Sequence, residues 1–257
     1  MYALITGAAQ GIGKAIADQL GKRNFNLLLI DMDEDKLKTT VSELATKYSV
    51  EVLYLVQDLS EVGFHTKIFE WSKPLHGNLQ VFVNNAGYGL HGAFEKLPLE
   101  QQINMLQVNI LSMVTLTSLF IPILKKINTS YLLNVSSTTA YQAIPYLTTY
   151  AASKAFVLSF TRGLQYELKD SNLSVSCLCP GSTDTNFVNR AGMNDRIKKK
   201  AKQFNMTPEQ VANYSVDRLF RKRIEIIPGF LNQLNSFVPR FLPKRFIEKF
   251  AGKLYSP

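Results

Sequence analysis

Tyr2-Ala3-Leu4-Ile5-Thr6-Gly7-Ala8-Ala9-Gln10-Gly11-Ile12-Gly13 is a short apolar run broken by three glycines. An amphipathic segment, Gly13–Arg23, follows it. A second apolar run, Leu27–Ile30, comes next and ends at Asp31, 18 residues beyond Gly13. The order reads as strand, tight turn, helix, strand, acid. Glycines let the backbone turn sharply and let a pyrophosphate approach it closely. The helix that follows offers free N–H groups and the positive end of its dipole to that anion. A carboxylate at Asp31 accepts hydrogen bonds from ribose hydroxyls and repels a 2′-phosphate.

Working outward, the alternation continues. Apolar runs occur at Tyr2–Thr6, Leu27–Ile30, Val52–Val56, Val81–Val83, Tyr131–Val135, Val175–Leu178 and Arg223–Ile227. Helical patterns lie between them at Gly13–Arg23, Asp35–Tyr48, Phe64–Trp71, Gln101–Lys125 and Tyr150–Lys169. Short runs rich in Val, Leu and Ile are strands buried on both faces of a parallel sheet. The expected fold is therefore α/β, a doubly wound, mostly parallel sheet in a single domain covering residues 1–257. Residues 186–210 are polar and rich in Lys and Asn, unlike the chain before them. Thr207-Pro208 reads as the start of a further helix. Residues 228–257 carry apolar side chains at helical spacing, broken by Pro239 and Pro243. Two or three short amphipathic helices, a basic tail, are expected from that stretch.

The bulk numbers bound the function. Hydrophobic residues make up 46% of the 257, enough for a large core. No unbroken apolar run reaches the roughly 18 residues of a membrane span, and no signal-peptide pattern is seen, so a cytoplasmic protein is expected. Cys177 and Cys179 stand two apart in an apolar run, poorly placed for a disulfide, and read as buried thiols. His65, His76 and His91 share no ligand spacing, and no metal site is expected. The net charge of +9 sits at one end: residues 190–257 hold 15 Lys and Arg against 5 Asp and Glu, whereas residues 1–189 hold 14 against 15. Such a patch suits an acidic ligand, an anionic membrane surface or plain solvation. Nucleic acid is not an expected partner.

The glycine spacing G-x-x-x-G-x-G resembles the short-chain dehydrogenase/reductase superfamily, and the resemblance continues in order over about residues 2–185. Asp58-Leu59 follows the third strand. Asn84-Asn85-Ala86-Gly87 matches the family's N-N-A-G. Asn109 lies in the next helix, Ser136-Ser137 ends the fifth strand, Tyr150-Ala151-Ala152-Ser153-Lys154 fits Y-x-x-x-K, and Pro180-Gly181 ends the sixth strand. The resemblance implies a Rossmann-type fold and a nicotinamide cofactor held by Gly7, Gln10, Gly11, Ile12, Gly13, Asp31, Asp58, Leu59, Asn85, Ala86, Gly87, Tyr150, Lys154, Pro180, Gly181, Thr183 and Thr185. It also implies a catalytic tetrad of Asn109, Ser137, Tyr150 and Lys154, and a substrate lid over residues 186–210. Asn109 is expected to bend its helix and hold a water that links Lys154 to solvent. Gln10 and Met32, where NADP-preferring relatives carry basic residues, agree with Asp31 in favouring NAD(H), with NADP(H) as the second form.

Taken alone, Tyr150 and Lys154 share one helix face four residues apart. A phenol with an ordinary pKa near 10 needs a neighbouring cation to work at neutral pH. Ser137, 13 residues before Tyr150, places a hydroxyl where ligands bind in open α/β sheets and can polarise a carbonyl oxygen. The expected activity is hydride transfer between the cofactor and a carbonyl or secondary alcohol on an apolar or lipid-like molecule, in a homo-oligomer. A 3-oxoacyl-thioester reductase is the close alternative, and a non-catalytic dinucleotide-binding regulator the distant one. Tyr88, Tyr141 and Tyr146 are candidates for the substrate mouth. For the tail, three roles compete: part of the substrate pocket, an oligomer interface, or contact with an anionic membrane.

Overall fold

The apolar runs become seven strands: β1 (Tyr2–Thr6), β2 (Asn26–Asp31), β3 (Val52–Val56), β4 (Leu79–Asn84), β5 (Ser130–Val135), β6 (Leu173–Leu178) and β7 (Glu225–Ile226). They form one sheet in the order β3-β2-β1-β4-β5-β6-β7, and every pairing is parallel. The computed structural model describes residues 1–183, 187–193 and 205–256. Successive residues of a strand face opposite sides, and here both sides are covered. Ala3, Ile5, Leu27 and Leu29 join one apolar cluster, while Leu4, Leu28, Ile30 and Phe82 join the other. That is why the runs are almost wholly apolar and do not alternate with polar residues.

Helices α1 (Gly11–Gly21) and α2 (Glu34–Lys47) cover the first face. They are joined there by α8 (Pro208–Phe220), through Val211, Val216 and Leu219. Helices α3 (Phe64–Ser72), α5 (Ser112–Leu124) and α6 (Thr148–Glu167) cover the second. Helix α8 starts as expected: Thr207 caps it reciprocally with Gln210, and Pro208 takes the first helical position.

Between β4 and β5 the chain is helical from Leu99 to Leu124, as α4 (Leu99–Leu106), a π-helical turn (Gln107–Leu111) and α5. An 18-residue window of this helix has a mean hydropathy of 1.7, so by length and composition it could cross a membrane. A search for unbroken apolar runs passes over it because polar residues such as Gln107 and Asn109 interrupt it. Leu116, Phe120 and Leu124 pack on Phe82 of β4, which makes it a helix of this domain.

The tail forms α9 (Phe230–Phe237), a 3₁₀ turn (Val238–Arg240) and α10 (Lys244–Tyr255). Pro239 lies in the turn and Pro243 caps α10, the two breaks expected from the sequence. Two expectations were too long or too loose: β7 spans Glu225–Ile226 instead of Arg223–Ile227, and the sheet is wholly parallel. The strand order reverses between β1 and β4. In an open α/β sheet, the carboxyl ends of the strands at that point leave a crevice for a ligand.

Candidate active site

A cleft of about 340 Å³ opens at this crevice. Its first wall is the glycine turn. Gly7 and Gly11 take φ values of 66° and 60°, a left-handed backbone that side chains with a Cβ disfavour. The N-terminus of α1 carries no side-chain cap and no acid in its first turn. Gln10, Gly11 and Ile12 line the cleft there, so the free amides and the helix dipole face it. An anion suits this cradle.

Asp31 lines the same wall and is held from both sides. Ala9 N donates to one of its oxygens at 2.9 Å and Asp33 N to the other at 3.1 Å. Asn85 fastens the end of β4 to the turn, its side-chain amide donating to Thr6 O and Gly7 O at 3.0 and 2.9 Å. Asp58, Leu59, Asn85, Ala86 and Gly87 complete the wall. These residues fit a nucleotide: a carboxylate for ribose hydroxyls, an uncapped helix end for a pyrophosphate and apolar sides for a base.

Gly13 does not line the cleft. A Cβ there would stand 2.0 Å from Gly7 O and 2.5 Å from Asn85 Nδ2. Its role is close packing of α1 beneath the turn, a correction to its place among the cofactor contacts. Because the first obstacle is backbone, Gly13→Ala is expected to cost about 1–3 kcal/mol, as overpacking typically does. Urea denaturation should show the midpoint falling without a change in slope.

The second wall holds Ser137 and Tyr150. Ser137 follows β5, and Tyr150 sits in the first turn of α6, 7% exposed. Burial pushes the Tyr150 phenol above its ordinary range, while a hydrogen bond with Ser137 acts against that shift. The neutral phenol is the form able to give a proton. Lys154, one turn further on, is 5% exposed and donates from Nζ to Val135 O at 3.0 Å. Its nitrogen lies 5.9 Å from the centroid of the Tyr150 ring. Burial lowers its pKa to about 8.

Asn109 lies at the middle of the π-helical turn, so its helix does depart from α geometry there. It sits behind the cleft wall, 2% exposed. Its Nδ2 donates to Tyr88 O at 2.9 Å and to Ser153 Oγ at 3.1 Å, and its Oδ1 accepts from Tyr88 N at 3.0 Å. Gly87 permits this closeness: a Cβ there would meet Asn109 Oδ1 at 2.9 Å and Lys154 Nζ at 3.1 Å. Ser137, Tyr150 and Lys154 thus gather at one corner of the cleft, with Asn109 behind its wall.

Pro180, Gly181 and Thr183 line the cleft after β6, with Thr183 Oγ1 donating to Gly181 O at 3.1 Å. Thr185 and residues 194–204 of the expected lid lie outside the described residues. Of the three mouth tyrosines, Tyr88 lines the cleft. The Tyr141 hydroxyl instead donates to Glu225 Oε1 at 2.7 Å, and Tyr146 serves a turn, its φ at 66°. Cys177 and Cys179 are buried free thiols.

Several cleft residues carry no sequence signal. Phe187, which opens α7 (Phe187–Arg190), places its ring 5.2 Å from that of Tyr150. Tyr255, at the end of α10, lines the cleft 105 positions after Tyr150, and His91 Nε2 lies 2.7 Å from its carbonyl oxygen. Arg190 lies over the ring of Tyr88 at 4.6 Å and reaches within 3.8 Å of Met32 Sδ. A cation thus stands beside the adenosine end after all, delivered from the lid. Asn232 packs on Gly181, where a Cβ would meet its Oδ1 at 2.2 Å; the Pro-Gly then Asn pattern of the tail was the only hint of it. The Thr139 hydroxyl is buried on the cleft wall with no partner among the described residues, a polar group left for a ligand.

This arrangement defines a dinucleotide-dependent oxidoreductase. The family model for short chain dehydrogenase matches residues 1–196, and the chain belongs to that family. It is an NAD(P)-dependent enzyme acting on CH–OH groups. Among curated proteins it is 33% identical to very-long-chain 3-oxoacyl-CoA reductase-B of Danio rerio, over 97% of this chain and 78% of that protein. It is 35% identical to very-long-chain 3-oxoacyl-CoA reductase-A of the same organism, over 70% of this chain but 57% of that protein. The solved structure of a 7β-hydroxysteroid dehydrogenase superposes with a TM-score of 0.87 at 22% identity, covering 98% of this chain and 96% of the other, a likeness of fold.

Proposed function

We propose that the enzyme interconverts a carbonyl and a secondary alcohol on a lipid-like acyl chain, with a 3-oxoacyl thioester as the substrate class. The observation that carries this reading is the apolar corner beside Tyr150. Met105, Ile144, Leu147, Met193 and Ala251 cluster with it, and Phe187 and Tyr255 pack against them. Of these, Leu147, Met193, Phe187 and Tyr255 line the cleft beside Tyr150, an apolar wall that suits an acyl chain, and two relatives bear the name of very-long-chain 3-oxoacyl-CoA reductases.

A reduced nicotinamide, when bound, supplies the hydride. Gly7, Gly11, Asp31 and Ala86 hold the dinucleotide. Ser137 donates a hydrogen bond to the substrate oxygen and Tyr150 gives it the proton, so carbonyl, hydride and proton together yield the alcohol. Lys154, charged below about pH 8, stabilises the tyrosinate left behind. Asn109 positions Tyr88 and Ser153 around that pair. The test is to follow reduced-cofactor absorbance with short- and long-chain 3-oxoacyl-CoA beside a small water-soluble ketone. A preference for the ketone would overturn the acyl reading.

The same proposal takes NAD(H) as the cofactor, because Asp31 is fixed by two backbone amides and repels a 2′-phosphate. Arg190 lines the cleft and reaches within 3.8 Å of Met32 Sδ, so without Asp31 it is placed to attract that phosphate. Asp31→Ala is therefore expected to lower KM for NADPH and raise KM for NADH, moving the kcat/KM ratio by about tenfold or more, the size of one to two kcal/mol. Steady-state kinetics with both cofactors checks it. Two sequence expectations enter the proposal unchanged, a cytoplasmic location and self-association, the second measurable by sedimentation velocity.

A further inference from the structure

The tail presents an apolar surface that the other described residues leave uncovered. Phe230, Phe241, Phe246 and Phe250 are 77%, 71%, 62% and 68% exposed. Leu231, Leu234, Phe237, Val238 and Leu242 are exposed beside them. Nine of the 21 exposed large apolar side chains among the described residues thus lie within 21 consecutive positions, Phe230 to Phe250. A patch of this kind marks an interaction surface.

Helix α10 shows how the surface is built. Ile247 and Ala251 turn inward, and Tyr255 joins the cleft wall. Phe246 and Phe250, one turn apart, point out. Lys244, Arg245, Lys249 and Lys253 are exposed around them, with Glu248 the only carboxylate of residues 228–257. Aromatic side chains ringed by cations match the boundary of a bilayer, where rings enter the acyl layer and ammonium groups meet anionic headgroups. A second copy of the chain would bring the same positive charge against itself, which opposes pairing through this face.

We propose that α9 and α10 dock the enzyme on the surface of an anionic membrane. The helix that would lie on the lipid also lends Tyr255 to the cleft, so docking sets the substrate mouth beside the bilayer. That consequence rests on the lipid-like substrate proposed above; the docking does not.

The test is co-sedimentation of the full chain with vesicles of phosphatidylcholine alone and of phosphatidylcholine mixed with phosphatidylglycerol. Binding is expected to the mixed vesicles, weakening as salt screens the charges. Lys244→Glu with Lys249→Glu is expected to weaken it at least about tenfold. Phe246→Ser with Phe250→Ser is expected to abolish it. Both variants should keep parental turnover of a soluble ketone, which shows that they fold. No binding to the mixed vesicles, or equal binding by parent and variants, overturns the docking. So does light scattering that shows a dimer dissolved by the Phe246→Ser, Phe250→Ser change, because the face would then be an interface between copies. Docking without any acyl-thioester turnover would instead retain this inference and remove the proposed substrate.

Discussion

Replacing Tyr150 with Phe is expected to slow turnover about 10²–10⁴-fold, the usual contribution of a general acid, while the affinity for reduced dinucleotide stays within about twofold of the parent. The ring itself is retained, so its packing against Phe187 and the apolar corner survives. What disappears is the hydroxyl that meets Ser137. Burial keeps that hydroxyl protonated in the free chain, and the next group with a comparable proton, Lys154, already donates to Val135 O. Single-turnover kinetics with a saturating cofactor, alongside a fluorescence titration of binding, separates the two effects. A loss below about tenfold would move the proton donor away from Tyr150 and leave the dinucleotide site as it stands.

The second large effect concerns Lys154. Replacement by Met should remove most turnover and at the same time make the fold more stable at neutral pH. An ordinary lysine titrates near 10.5, whereas burial holds Lys154 near 8. Between these values the unfolded chain binds more protons than the folded one, so folding stability rises with pH across that window. Below about pH 8 the full cost of burying the charge is present, on the order of 3 kcal/mol for a shift of this size. Met fills similar space without a charge, although it leaves Val135 O without its donor, so a net gain of about 1–3 kcal/mol is expected at pH 7. The advantage should shrink as pH approaches 10.5. Thermal melts of both chains across that range check the sign: a Met variant less stable than the parent at pH 7 would show that the charge is compensated inside the fold. A gain in the Met variant would instead mark Lys154 as a residue the fold carries at a cost for its place beside Tyr150.

Much of the fold was legible because its signals are local. The strands announce themselves as short apolar runs, since the central ones are covered on both faces; only the edge strand β3 leaves apolar residues, Tyr54 and Val56, exposed. The turn at Gly7 and Gly11 is legible because its backbone angles restrict the residue types allowed. Ser137, Tyr150 and Lys154 were found from spacing, because one strand end and one helix turn bring them together. Gly13 was misplaced for a related reason: spacing puts it in the motif, but only the 2.0 Å approach of Gly7 O shows that it serves packing.

The residues that escaped are those carried to the cleft by long excursions of the chain. Tyr255 arrives through the orientation of a terminal helix, and Arg190 at the end of the four-residue helix Phe187–Arg190; neither leaves a periodic trace. Asn109 was singled out by resemblance, yet its partners Tyr88 and Ser153 follow from how the loop after β4 meets α6. The long helix was legible over Gln101–Lys125, close to the observed Leu99–Leu124; its membrane-like mean hydropathy was not, because interspersed polar residues hide it from a search for unbroken runs.

The π-helical turn at Gln107–Leu111 has a consequence for how this chain tolerates change. Such a turn amounts to one residue added to an otherwise continuous α-helix. Upstream and downstream of it the apolar stripe runs out of phase, by the roughly 100° that one residue occupies. Deleting a single residue there would restore a regular helix and bring the two stripes into one phase, yet it would swing Asn109 or its neighbours off the Tyr88 loop. This position is where a helix sequence can lose one codon, keep its secondary structure and still vacate the corner of the cleft.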